Sequence, residues 1–274
     1  MALGVNTNVG AMIALQNLNK TNRELETVQS RINTGLAVTG AKDNGGIYAI
    51  AQAMRGDVAS LGAVGQSLNR AKSVLDVALA GGESISDLLV QMKEKAVAAA
   101  DASTDTTARA SLNEDFVALR KQIATIVSNS SFNGKSLINT GTGFAAIASA
   151  DGTQKISVNA ENMSLGGSIV TVAAAGVIDT QAAASTMLST VNTSLTNTNR
   201  ALARLGSTSK RLDLQISFNT KVSDALTAGI GNLVDADLSV ESARLQALQV
   251  KQQLGIQALS IANSAPSTVL GLFR

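Results

Sequence analysis

Three acidic residues, Asp235, Asp237 and Glu241, stand close enough in the chain to offer oxygen ligands to a hard cation. The same spacing has a plainer reading: carboxylates at the start of a helix, where the macrodipole favours negative charge. Gly35-Leu36-Ala37-Val38-Thr39-Gly40-Ala41-Lys42 comes near the phosphate-cradling pattern GxxxxGK followed by Ser or Thr. Its lysine is displaced by one place and is followed by Asp43, whose charge repels a phosphate. Lys93, Glu94 and Lys95 read as a solvated helix face. The 274 residues include no His, no Cys and no Trp. Zinc, haem and iron–sulfur ligation therefore fall away, as do nucleophilic triads that need His or Cys. No cofactor and no metal is expected, and the chain does not read as an enzyme.

The elements around these residues carry more information than the residues themselves. Apolar side chains make up 45% of the chain and aromatic ones only 2%, so burial must come from many small aliphatic contacts, as between packed helices. The single proline, Pro266, leaves everything upstream free to form long helices. A formal charge of +2 gives no basic stripe, and one Tyr with five Phe offers few stacking platforms, so no nucleic acid is expected. No apolar run reaches the length of a membrane span, and the start lacks a cleavable signal pattern.

Positions alternately three and four apart from Ile47 to Ala99 are apolar in fourteen of sixteen cases, Asp57 and Gly82 being the exceptions. That is a coiled-coil-like seam, roughly 80 Å long at about 1.5 Å per residue. A shorter seam runs through Leu112, Phe116, Leu119, Ile123 and Ile126, and another long one from Leu188 to Leu226 with polar interruptions at Thr198, Ser209, Asn219 and Ser223. Three antiparallel helices can bury these stripes together. The ends carry further stripes: Ala11, Ala14, Leu18, Thr21, Leu25, Val28 and Ile32 near the start, and Leu238, Leu245 and Leu259 near the end, with Leu248 and Ile256 alongside. Each terminal helix is marginal alone and is expected to pair with the other, with other copies, or with both.

Between about 128 and 184 the pattern changes to Gly, Ser, Thr and Asn. Asn133-Gly134 signals a tight turn, Lys155–Asn159 alternates like a strand, and Ser168–Val172 is β-branched enough for another. Asp43 is a candidate helix cap after the connector Gly35–Gly46. Ala228–Asn232, with two glycines, reads as a soft joint before the last stripe, and Pro266 as the place where the last helix stops.

Residues 33 to 61, beginning Asn-Thr-Gly-Leu-Ala-Val-Thr-Gly-Ala-Lys-Asp-Asn-Gly-Gly, closely resemble the N-terminal signature of bacterial flagellins. Ser131-Phe132-Asn133-Gly134-Lys135-Ser136-Leu137 is similar to the FNG segment of that family, and Asp235–Leu238, Gln252–Gly255 and Val269–Leu272 to its C-terminus. The resemblance implies a structural subunit of the flagellar filament. Such subunits are exported unfolded through the flagellar secretion channel and meet an export chaperone, junction proteins and a cap. It implies a mainly α fold: an antiparallel helical bundle with paired terminal helices and a small hairpin-containing middle too short for large outer domains. The expected division is 1–34 with 235–274 as terminal coiled coil, 35–127 with 185–234 as long-helix bundle, and 128–184 as the exposed central segment. Stripes and resemblance together place subunit-interface positions at Leu3, Val9, Leu15, Leu18, Leu25, Val28, Ile32, Leu238, Leu245, Leu248, Ile256, Leu259, Val269, Leu270 and Leu272. Thr140, Thr142, Ser149, Thr153, Ser164, Ser168 and Thr171 are expected to be exposed and open to O-linked sugars of the kind many flagellins carry. The segment aligned with the family's arginine-rich innate-receptor contact, Val90–Lys95, has Gln91 for the first arginine and Lys93 for another, which weakens recognition. Two other readings remain open, a hook–filament junction protein and a soluble coiled-coil adaptor.

Overall fold

A computed structural model describes residues 7–270, with side chains as far as residue 264. Five helices and one antiparallel hairpin follow in order: α1 (Val9–Thr34), α2 (Gly45–Ala100), α3 (Thr106–Asn129), β1 (Phe144–Ile147), β2 (Lys155–Val158), α4 (Gln181–Val234) and α5 (Leu238–Leu270). The chain divides into two compact units, residues 1–56 with 225–274 and residues 57–224, so the division falls inside α2 and α4.

In the first unit α1 and α5 pair side by side. Asn8 caps α1, its Oδ1 accepting from the Ala11 amide at 3.0 Å, and Gly35 ends it in the left-handed conformation (φ +72°) that a glycine adopts without strain. The connector is tied down where α4 ends. The amides of Ala37 and Val38 donate to the Val234 carbonyl, and the Ala236 amide donates to the Gly35 carbonyl at 2.9 Å. Val38, Ala51 and Val234 are buried there, with Leu36, Ile47, Tyr48 and Ile230 packed around them.

The expected cap residue shifts by one place. Asn44, not Asp43, accepts from the Ile47 amide at 3.1 Å and starts α2, while Asp43 accepts from the amide and hydroxyl of Thr39 at 2.9 and 2.6 Å. The expected soft joint at 228–232 is helical, and α4 runs on to Val234. Its glycines allow close approach: a Cβ on Gly229 would lie 2.9 Å from Met54 Cε. The break comes at Asp235–Asp237, where Asp237 Oδ1 accepts from the Ser239 and Val240 amides at 2.9 and 3.2 Å to start α5.

Pro266 does not stop α5, which continues to Leu270. An interior proline ordinarily costs about 3 kcal/mol, because it supplies no amide proton to the carbonyl four residues back and crowds it. That carbonyl, on Ala262, accepts instead from Asn8 Nδ2 at 2.6 Å.

The second unit is organised by the long stripe of α2. From Leu61 to Ala99 every stripe position is buried. Gly82 fits the stripe because α4 and the middle segment approach closely there, a Cβ falling 2.7 Å from Leu202 Cδ2. Asp57 is exposed at the edge of the unit. Phe116 and Ile123 of α3 and Val191, Leu205 and Leu212 of α4 complete one core. Asn133 (φ 49°) and Gly134 (φ 72°) form the signalled turn between Phe132 and Lys135. The hairpin pairs Phe144 with Val158 and Ile147 with Lys155. Its first strand is the alanine-rich 144–147, and the expected strand at 168–172 is absent. Ile169, Val170 and Val172 are instead buried in the common core through irregular backbone, the Thr171 amide donating to Ser194 Oγ at 2.9 Å.

Candidate assembly surface

The pairing of α1 with α5 follows from one stripe on each helix. On α1 it is the stripe read from sequence: Leu25 and Val28 are buried, and Ala11, Ala14, Leu18, Thr21 and Ile32 are half-buried. On α5 the facing positions are Glu241, Leu245, Leu248, Gln252, Gly255, Leu259 and Ala262, again three and four apart. Polar rungs fix the antiparallel register. Arg31 Nη1 donates to Glu241 Oε1 at 3.2 Å near one end. Gln252 Nε2 donates to Asn22 Oδ1 at 2.8 Å in the middle, and Asn8 reaches Ala262 at the other end.

Glu241 is the costliest member of this row. It is 95% buried, and its Oε1 accepts from Arg31 and from Arg244, both at 3.2 Å. Its Oε2 and the Arg31 Nε have no partner. Asp237 is a cap, and Glu241 is bound by two guanidiniums, so the two side chains serve helix geometry and charge balance. Among the described residues no group of three or more His, Cys, Asp or Glu is placed to hold a metal.

The interface residues expected from sequence separate into three sets. Leu18, Leu25, Val28, Ile32, Leu245, Leu248 and Leu259 lie in the seam within the chain. Val9, Leu15 and Ile256 lie off it, Leu238 is the first residue of α5 ahead of Glu241, and the four are 48–56% exposed. Leu3 and Leu272 lie outside the described residues, as do the side chains of Val269 and Leu270 on the last turn of α5.

A second stripe on α5 was not legible beforehand. Val240, Ala243, Ala247, Val250, Leu254, Gln257 and Ile261 repeat the three-and-four spacing one or two residues earlier than the inner seam, and all seven are exposed. Ile261 is the most open at 70%. Two adjacent seams make α5 apolar on much of its circumference, which blurs the amphipathic signal a single stripe would give.

The second unit carries outward stripes of opposite charge. On α2, Glu83, Asp87, Val90, Glu94 and Val97 share one exposed face. On α4, Lys210 and Arg211 precede the exposed Leu214 and Phe218, and Lys221 follows them. None of these six charged groups joins an ion pair among the described residues. Phe218 and Leu214, 58% and 63% exposed, are unusual burdens for a free surface.

Of the hydroxyls expected to be open, Thr140, Thr142, Thr153 and Ser168 are exposed, while Ser149, Ser164 and Thr171 are half-buried. Thr171 departs furthest from that expectation, because its Oγ1 contacts the Thr190 carbonyl and Ser194 Oγ on α4.

Residues 5–143 match the model of the bacterial flagellin N-terminal helical region, and residues 188–273 that of the C-terminal helical region. Flagellin FljK of Caulobacter vibrioides is 51% identical, with both chains covered completely. A flagellin of Brucella melitensis is 35% identical over 98% of each chain. Among solved structures, that of a Bacillus cereus flagellin aligns with a TM-score of 0.51 and 25% identity, over 56% of this chain and 88% of that one.

Proposed function

The chain belongs to the bacterial flagellin family and is a subunit of the extracellular flagellar filament; from that premise we propose how its surfaces build the polymer. The outer stripe of α5 is the contact between subunits. The observation that carries this reading is the pair of adjacent seams on one helix: the inner one is filled by α1, and the outer one has six apolar residues in seven positions with no cover in the single chain. Each Val, Leu or Ile buried there contributes about 1.5–3 kcal/mol, so a few of them decide whether subunits associate.

Val9, Leu15, Leu238 and Ile256, exposed apart from that stripe, are further contacts between subunits, and the family resemblance assigns Leu3, Val269, Leu270 and Leu272 the same role. In this reading residues 1–34 with 235–274 act as the filament core, 35–127 with 185–234 as the long-helix bundle, and 128–184 as the exposed central segment. The acidic face of α2 and the basic face of α4 are the second contact. Because the two faces differ, one copy's α2 meets the next copy's α4, and a heterologous contact that does not close yields an open helical fibre. Thr140, Thr142 and Ser168 are the hydroxyls best placed for O-linked sugar. Lys95, in the segment aligned with the receptor contact, is drawn to Asp115 at 2.8 Å, which supports weak innate-receptor recognition.

Terminal helices whose outer seam gains its cover only on assembly suit export as an unfolded chain through the flagellar channel, with chaperone, junction and cap proteins as passing partners. Leu254→Asp tests the reading: seeded polymerisation followed by sedimentation should show the protein in the supernatant, with the second unit's helical signal intact. Normal polymer yield from this variant would sink the proposal. Normal abundance of the native chain along sheared filaments, as opposed to a trace at the hook, separates a filament subunit from a junction protein.

A further inference from the structure

We propose that Asn8 is the residue that carries α5 past its proline, and so positions the helix end bearing Val269 and Leu270. The carboxamide works at both of its atoms. Oδ1 accepts from the Ala11 amide, which fixes the identity of the oxygen and leaves Nδ2 as the donor. Nδ2 then donates to the Ala262 carbonyl at 2.6 Å. Ala262 stands four residues before Pro266, so its carbonyl is the one for which the helix supplies no amide proton.

The neighbouring residues agree with this geometry. Gly10 stands over Ala262, where a Cβ would meet Ala262 Cβ at 4.0 Å and Asn8 Oδ1 at 3.4 Å. Ser264 Oγ donates to the adjacent Ile261 carbonyl at 2.9 Å, so two successive carbonyls before the proline each accept from a side chain. A half-buried carbonyl left without any donor is costly, and the helix beyond it is then free to unwind. Only a side chain that both accepts and donates can cap α1 and satisfy α5 together. Asp has the acceptor without the donor, and Ser has both in one short hydroxyl.

The inference stands apart from the assembly reading, because it concerns one hydrogen bond within the chain and is read without polymerisation. The experiment is a double-mutant cycle on the full-length chain, with hydrogen exchange followed by mass spectrometry over residues 258–270. Asn8→Asp should speed exchange of the amides at 263–270 about tenfold while leaving the cap at Ala11 in place. Pro266→Ala supplies the missing amide proton, so in that background Asn8→Asp should change exchange less than about twofold. Equal effects of Asn8→Asp in both backgrounds overturn the inference, since Asn8 would then act only through α1. An effect below about twofold in the native background overturns it too, as do native amides at 263–270 that exchange like an unfolded chain.

Discussion

Gly255 of α5 lies directly against Leu18 of α1, so close that a Cβ on the glycine would stand 3.3 Å from Leu18 Cδ1. A helix-interior glycine ordinarily forgoes about 1 kcal/mol relative to alanine. Here the small residue lets a leucine of the facing stripe lie across α5. Gly255→Ala should be nearly neutral, the gain in helix propensity offsetting a shift of Leu18 by a few tenths of an ångström. Gly255→Leu should separate the helices and cost about 1–3 kcal/mol. Hydrogen exchange across residues 14–22 and 250–259 reads both variants, and equal protection in the two would refute the packing argument.

Leu245 and Leu254 separate pairing within the chain from association between chains. Leu245 packs against Leu25, Val28 and Leu248, whereas Leu254 is 58% exposed. Leu245→Asp should loosen α1 from α5 in the single chain and lower helical circular dichroism before any polymer forms. Leu254→Asp should leave that signal unchanged and act only on polymer yield. Identical behaviour of the two variants, by dichroism and by sedimentation, would show that the distinction between inner and outer seams is wrong.

The charged faces of the second unit permit a complementation test. A copy with Glu83→Lys, Asp87→Lys and Glu94→Lys should fail to polymerise alone, as should a copy with Lys210→Glu, Arg211→Glu and Lys221→Glu. Mixed, the two should recover polymer as alternating copies, because both contacts between unlike copies pair opposite charges, and high salt should weaken that recovery. No recovery on mixing, scored by electron microscopy, rejects the pairing of α2 with α4 between copies.

Asp43 gives the connector an acid limit. The Thr39 hydroxyl and then the Thr39 amide hold its carboxyl below the ordinary value of 3.8. A carboxylate whose folded value is depressed stabilises the fold fully above the unfolded value. That contribution is lost as pH falls from 3.8 through the lowered folded value. The Thr39 amide resonance should therefore move only below about pH 4, and Asp43→Asn should remove that movement. By contrast, Asn44→Ala should cost about 1 kcal/mol at every pH, since it removes the cap of α2 itself.

How far the sequence was legible depended on how many faces each helix buries. The stripe of α2 from Leu61 onward is buried as read, because one apolar face on a long helix leaves one orientation. The α1 stripe was equally clear. On α5 a second seam runs one or two residues ahead of the first, and Ile256 read as inward although Gly255 occupies that place, while Leu238 keeps the inner register but stands exposed as the first residue of the helix, ahead of Glu241. A buried glutamate and a glycine carry no apolar signal. Strand β1 was missed because Ala145 and Ala146 have little strand propensity, and the hairpin is held by burial of Ala146, Ile156 and Val158 in the bundle core. Pro266 misled because a local rule was answered by a side chain 258 positions earlier.

Tyr48, packed beside Val38, Ala51 and Val234 where the connector crosses the end of α4, is the one tyrosine in a chain without tryptophan. Its phenol is therefore an optical gauge already built into the first unit, with no indole to mask its emission. Excited in the near ultraviolet, the native protein should report the loosening of that joint by itself. Export, docking at a growing tip and disassembly are then each open to timing without attaching a dye.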